Sequence, residues 1–165
     1  MSVLLSIPIM GLIAVLQSAV VSRITLNQGT ADLLMVVLIA YSLQQSLHSA
    51  WQWGAVAGLL ADFFSGLPFG IFTTSYLLLV GLALMLRERV WQYSFLMQLL
   101  LVLIGTMLTH AAALVVLFLQ GASLQVSQVL QTITLPSLVL NFMVSLPIFL
   151  LTQDLVLQVS EEKDL

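Results

Sequence analysis

The chain has 165 residues, 61% of them hydrophobic and only 7% charged, with a net charge of −3 and a mean hydropathy of +1.14. A small soluble domain covers itself with roughly 25–35% charged residues, so this composition excludes a water-exposed globular surface and makes lipid the expected solvent of the folded state. Four basic residues exclude a nucleic-acid footprint, and the lack of cysteine excludes a disulfide framework and a thiolate metal site.

A helix crossing the hydrocarbon core needs about 20 mostly apolar residues. Cutting the chain at its polar, glycine-rich and charged clusters predicts six segments, 3–21, 32–47, 51–65, 70–86, 92–119 and 129–152. The expected fold is an all-α integral membrane protein, a single transmembrane domain over 1–165 built as a compact bundle of about six helices. No Lys or Arg precedes the first apolar stretch, which reads as a retained helix rather than a signal peptide.

The first cut, Ser22 to Thr30, carries Arg23, Asn27 and Gly29, and Thr30 or Asp32 can cap the helix that follows. The second, Gln44 to Ala50, is polar with little charge, and Trp51 and Trp53 after it occupy positions expected of an interfacial aromatic belt. Gly66-Leu67-Pro68-Phe69-Gly70 reads as a tight reversal. Arg87-Glu88-Arg89 is a dense charge cluster, followed by Trp91 and Tyr93 as interface anchors, and Gln120 to Gln128 forms the last cut. The third and fourth segments are short, so four full spans plus a tilted hairpin is the fallback topology. With six spans, Arg87, Arg89 and Lys163 share one side and Arg23 lies on the other, which predicts cytoplasmic termini by the positive-inside rule.

Gly54, Gly58, Asp62, Gly66 and Gly70 recur at four-residue spacing. On a helix Gly54 and Gly58 open a groove on the face from which Asp62 projects, the kind of groove that admits a second helix backbone in lipid. Gly66 and Gly70 belong more naturally to the turn. A carboxylate inside a membrane helix costs several kcal/mol unless it is paired or hydrated. Asp62 therefore has three readings: a cap on the backbone amides of the Gly66–Gly70 reversal, a dock for a partner helix or subunit, or a proton or cation site.

His110 lies within the fifth segment, with Thr106 one turn before it, and needs a hydrogen-bond partner from a neighbouring helix. Asn141, flanked by Ser137 and Ser145, forms a polar stripe between Pro136 and Pro147 in the last segment. Such stripes join helices. Gln17, Ser18 and Gln98 are further candidates for an internal polar cluster with His110 and Asn141. The chain has no phosphate-binding loop, no H-E-x-x-H, and only a G-x-S fragment at Gly121-Ala122-Ser123. No catalytic residue, cofactor or metal site is expected.

From Ala31 to Arg89 the chain resembles the rod-shape-determining MreD family. The matching parts are Asp32-Leu33-Leu34 opening an apolar helix that ends near Tyr41-Ser42-Leu43, the run from Gly54 through Asp62 to Gly66, then Gly70, Tyr76-Leu77, Gly81 and Arg87-Glu88-Arg89. Length and the six-span layout are similar along nearly the whole chain. Ala31 departs from the family, which often has proline there. The resemblance implies a non-enzymatic subunit of the bacterial cell-elongation machinery in the cytoplasmic membrane. Such a subunit binds the bitopic protein MreC and through it connects to MreB, to RodA and to its transpeptidase. It also implies a fold similar to the substrate-binding components of energy-coupling-factor vitamin transporters. A small-molecule transporter subunit, with Asp62, His110 and Asn141 around a substrate, is the alternative.

Overall fold

The structure, a computed structural model, describes residues 3–44, 47–87 and 94–161. Within them the chain is all-α apart from one short ladder. Helices α1 (Val3–Ala19), α2 (Leu33–Gln44), α3 (Leu47–Phe64), α4 (Ile71–Arg87) and α5 (Ser94–Leu119) are followed by a composite α6. This last helix runs without a break through Val126–Val129, a π-helical turn Leu130–Thr134 and Leu135–Glu161. Between α1 and α2, a 3-10 turn (Val21–Arg23) leads into an antiparallel pair, β1 (Thr25–Leu26) and β2 (Gly29–Thr30). The reversal between them places Asn27 at φ 55°, a left-handed conformation that asparagine tolerates.

Among the described residues, three stretches are long and apolar enough to cross a membrane: Ser6–Arg23, Phe95–Leu119 and Val126–Thr152. The protein is therefore a multi-pass membrane protein. α2 and α4 are apolar but shorter. The shortest of the six helices is α2, with 12 residues and a length of about 18 Å, whereas the sequence reading has the third and fourth segments short for full spans. Other boundaries also differ from expectation. α3 begins at Leu47, inside the second polar cut, and the helical path of α6 starts at Val126 and continues past 152. Arg89, Trp91, Tyr93 and Lys163, on which the orientation and anchoring expectations partly rest, lie outside the described residues.

α2 can be short because it is surrounded by protein. It packs against α1, α3, α4, α5 and α6, and Leu34, Met35, Val36, Leu38, Ile39 and Ala40 are buried around its whole circumference. A helix apolar on all sides belongs in a core, and here that core is formed by neighbouring helices instead of lipid. Gly105 lets α5 approach closely: a Cβ there would come within 2.8 Å of both Leu79 on α4 and Met35 on α2. Trp53 corrects the aromatic-belt expectation. It is buried and stacks on Tyr41 with ring centroids 4.2 Å apart, joining α3 to α2. Trp51 remains exposed and abuts Gly81 of α4.

The segment after the β-turn is held against the last helix by backbone chemistry. Pro136 has no N–H to give the Thr132 carbonyl four residues before it, and the π-turn lies at this point, closed by the Leu135 N–H on the Leu130 carbonyl. The Gln28 N–H donates to the Thr132 carbonyl at 3.1 Å. Two residues on, the Thr30 N–H donates to Ser137 Oγ at 3.1 Å, and two further on the Asp32 N–H donates to Asn141 Oδ1 at 2.6 Å. An extended chain advances about 6.7 Å per two residues. The four or five residues between successive acceptors on the helix span about 6–7.5 Å, so the two repeats stay in step.

Gly29 sits at the closest approach. A Cβ there would lie 2.5 Å from the Ser137 backbone nitrogen and 2.7 Å from the Ile133 carbonyl oxygen, whereas one on Gly11 of α1 would meet nothing within 4 Å. Gly29→Ala is expected to lower stability by about 1–3 kcal/mol, and Gly11→Ala to leave it equal or raise it, as measured by unfolding in mixed micelles. Pro136→Ala restores an intrahelical donor to Thr132; the expected result is faster hydrogen exchange at the Gln28 amide with α6 retained. Unchanged protection at Gln28 would show that the proline does not govern docking.

Candidate functional site

The docked segment delivers Asp32 to the middle of the bundle. Thr106 lies halfway along α5, and Asn141 lies about 22 Å along α6 from Val126, near the midpoint of its apolar span. Asp32 is the N-cap of α2: its backbone carbonyl accepts from the Val36 N–H, and its carboxylate Oδ1 accepts from the Met35 N–H at 3.1 Å. The Tyr76 hydroxyl of α4 donates to the same carboxylate, 2.7 and 2.6 Å from its two oxygens. Gln17 of α1 accepts the next free amide, that of Leu34, at 2.9 Å. Asn141, held by the Asp32 N–H on its oxygen, donates through Nδ2 to Thr106 Oγ1 at 3.0 Å. Five helices thus meet around the start of α2.

Asp62, at the end of α3, serves α4 in the same way from a distance. Gly70 occupies the capping position of α4 with φ +102°, a conformation that favours glycine and supplies no side chain to cap the helix. The Asp62 carboxylate takes that role. Oδ1 accepts the Phe72 N–H at 2.9 Å, and Oδ2 accepts the Thr73 N–H at 3.1 Å and the Thr73 hydroxyl at 2.6 Å. These are the second and third residues of α4, whose amides have no partner within the helix. Of the three readings of Asp62, this geometry matches capping, applied to the helix beyond the reversal.

The glycines of α3 face the same neighbour. A Cβ on Gly58 would lie 2.5 Å from Thr73 Cα, and one on Gly54 would lie 2.9 Å from Val80 Cγ2. The groove that Gly54 and Gly58 open is filled within the chain by α4 and is not left for a second protein. Gly66 and Gly70 lie in the reversal, where a Cβ on either would meet nothing within 4 Å.

His110 and Asn141 border one chamber. His110 Nδ1 lies 3.0 Å from Thr134 Oγ1 in the π-turn of α6. A cavity of about 110 Å³ is bounded by Asp32, Thr106, Thr109, His110 and Asn141. It adjoins a larger cleft of about 370 Å³, and Gln17, Thr30, Ala31 and Phe72 line both. The cleft is bordered by Ser22 and Ser65 near the ends of α1 and α3. Gln17 and Ser18 join this region. Gln98 lies apart, buried and donating to the Ser145 carbonyl at 3.1 Å with Oε1 unpartnered among the described residues. Asp62 borders neither cavity.

His110, Asn141 and Asp62 stand out in the sequence, whereas Asp32 is legible there only as a cap. Two signals of its larger role are present: an acidic residue opening an apolar helix, and a tyrosine 44 positions later within the resembling segment. Their contact is not legible. Gly29 and the Thr132 carbonyl freed by Pro136 were missed, although a proline inside an apolar segment always marks a carbonyl without its helical donor. Among the described residues no group of three His, Asp or Glu side chains is placed to hold a metal ion.

Asp62→Ala removes every acceptor from the start of α4 and is expected to destabilise by about 2 kcal/mol. Asp62→Asn keeps one acceptor oxygen and should lose roughly half as much, with Thr73→Val of similar size. Unfolding midpoints of the purified variants provide the check; equal losses for alanine and asparagine would show that the charge, not the capping geometry, is what matters.

The chain matches no protein-family model, no curated protein and no solved structure.

Proposed function

We propose that this protein is a non-enzymatic membrane subunit of the bacterial cell-elongation complex. It resides in the cytoplasmic membrane with both termini on the cytoplasmic side, surrounded by lipid. It binds an MreC-like bitopic protein and, through it, couples the MreB cytoskeleton to RodA and its transpeptidase in peptidoglycan synthesis.

One observation carries the reading. Both aspartates of the MreD-like segment hold helix starts: Asp32 on α2 together with Tyr76, and Asp62 on α4. The residues that bear the resemblance are those that build the α2–α3–α4 unit. Their carboxylates are occupied by amide and hydroxyl donors, which suits a scaffold better than a general acid or base. Because α4 occupies the Gly54–Gly58 groove, a bitopic partner is expected on an outer face of the bundle, such as that of α6 with Leu135, Val139, Met143, Leu146 and Leu150 exposed.

A second reading is favoured by the cleft and chamber. A cavity of about 370 Å³ leading to polar groups at mid-depth suits the substrate-binding membrane subunit of a small-molecule, vitamin-type transporter.

Affinity purification of the tagged chain from its native host in gentle detergent, with mass spectrometry of the companions, separates the two. The expected companions are an MreC-like bitopic protein, RodA and its transpeptidase. Recovery instead of paired ATPases with a membrane coupling subunit would overturn the adaptor reading in favour of transport.

A further inference from the structure

Four hydroxyls that line the chamber and cleft have their protons committed, beside the donor-bearing amide of Gln17 and imidazole of His110. The hydroxyl protons of Thr106 and Thr109 go to their own helix carbonyls, Val102 and Gly105, each at 2.8 Å. Those of Ser18 and Ser22 go to the Val15 and Ser18 carbonyls. A hydroxyl that has donated its proton presents lone pairs. Asp32 adds a carboxylate, which only accepts. No Lys or Arg borders either cavity.

Anions are disfavoured for a second reason. The two helix N-termini nearest the cavities, those of α2 and α4, would ordinarily attract a negative group. Here Asp32 and Asp62 already cover their amides. The site is thus rich in acceptors with one negative charge at its inner end. The cleft has a mixed wall, in which Leu34, Ala14, Ala61, Phe64 and Phe72 supply apolar area beside Ser18, Ser22 and Ser65.

We propose that this cavity pair binds an amphiphilic primary amine. The ammonium group sits in the 110 Å³ chamber against Asp32 and Thr109, and the apolar body lies in the 370 Å³ cleft beside Phe64 and Phe72. The ammonium supplies three donors to the exposed lone pairs, and Asp32 supplies the counter-charge. The aromatic rings add packing area and attraction for a cation near their faces. The inference does not depend on which proteins the chain binds, so failure of the co-purification leaves it standing, and its own failure leaves the adaptor reading standing.

The test uses the full chain in lipid nanodiscs. 2-Phenylethylamine is the probe, and 3-phenylpropionate, of similar length and opposite charge, is the comparison. Calorimetric titration at millimolar ligand and the shift in thermal midpoint are both read. The amine is expected to bind saturably and raise the midpoint, while the carboxylate does neither. Asp32→Asn should abolish amine binding. Thr109→Val removes a lone-pair donor site while its helix keeps its backbone bonds, and should weaken binding about tenfold or more, as expected for a hydrogen bond to a charged group. This variant decides the matter even where Asp32→Asn does not fold. No saturable binding of the amine, equal binding of amine and carboxylate, or unchanged affinity in folded Thr109→Val would each overturn the proposal.

Discussion

The fold turns on the docking of residues 28–32 along the last helix. A chain that leaves a helix inside a membrane bundle exposes amides that lipid cannot satisfy, and each unsatisfied group costs several kcal/mol. Here alternate amides, those of Gln28, Thr30 and Asp32, find acceptors on α6 at matching intervals. The first acceptor exists because Pro136 leaves the Thr132 carbonyl without its usual donor. The second and third are side chains one turn apart. Gly29 allows the contact, since any side chain there would strike the α6 backbone. A proline, a glycine, a serine and an asparagine thereby let a polar connection descend into the bundle and start α2 at mid-depth.

That start determines much else. α2 is too short to span alone, but enclosed by its neighbours it needs only to fill the centre. Its exposed first amides are met by Asp32 and by Gln17 of α1, and the Asp32 carboxylate is in turn bonded by Tyr76 of α4. α4 has the same need, met by Asp62 from α3. The charge of each carboxylate is offset by helix amides and hydroxyls in place of a basic residue, a sensible arrangement where a lysine would carry its own desolvation cost. The pairing also explains the small residues on α3: for Asp62 to reach Phe72 and Thr73, the backbones of α3 and α4 must come close, and Gly54 and Gly58 permit it.

The cavities follow from the same geometry. A loop that descends beside α6 leaves space between α1, α3 and α4, and the polar groups that anchor it line the inner end of that space. The proposed ligand binding and the proposed scaffold role are compatible. An adaptor that holds partners on its outer faces can carry a ligand site at its centre, and occupancy of that site would bear directly on the Asp32–Tyr76–Asn141 junction where five helices meet.

Composition and pattern alone determined that this is a multi-pass helical membrane protein, because no arrangement of so few charged residues covers a soluble surface and because apolar runs of this length have one stable form in lipid. The polar positions that matter, Asp62, His110 and Asn141, stood out for the same reason: each is costly in lipid and so calls for a partner. Which partner each one has was decided by tertiary structure. Asp62 meets amides ten and eleven residues away across a turn, His110 meets a buried threonine of the π-turn, and Asn141 meets Asp32 across 109 residues of sequence. The Gly54–Gly58 face had two possible occupants, a helix of this chain or of another, and spacing is blind to that choice. Periodicity reports which face of a helix is special; only packing brings two such faces together, because the contact depends on depth, rotation and the path of the connecting chain.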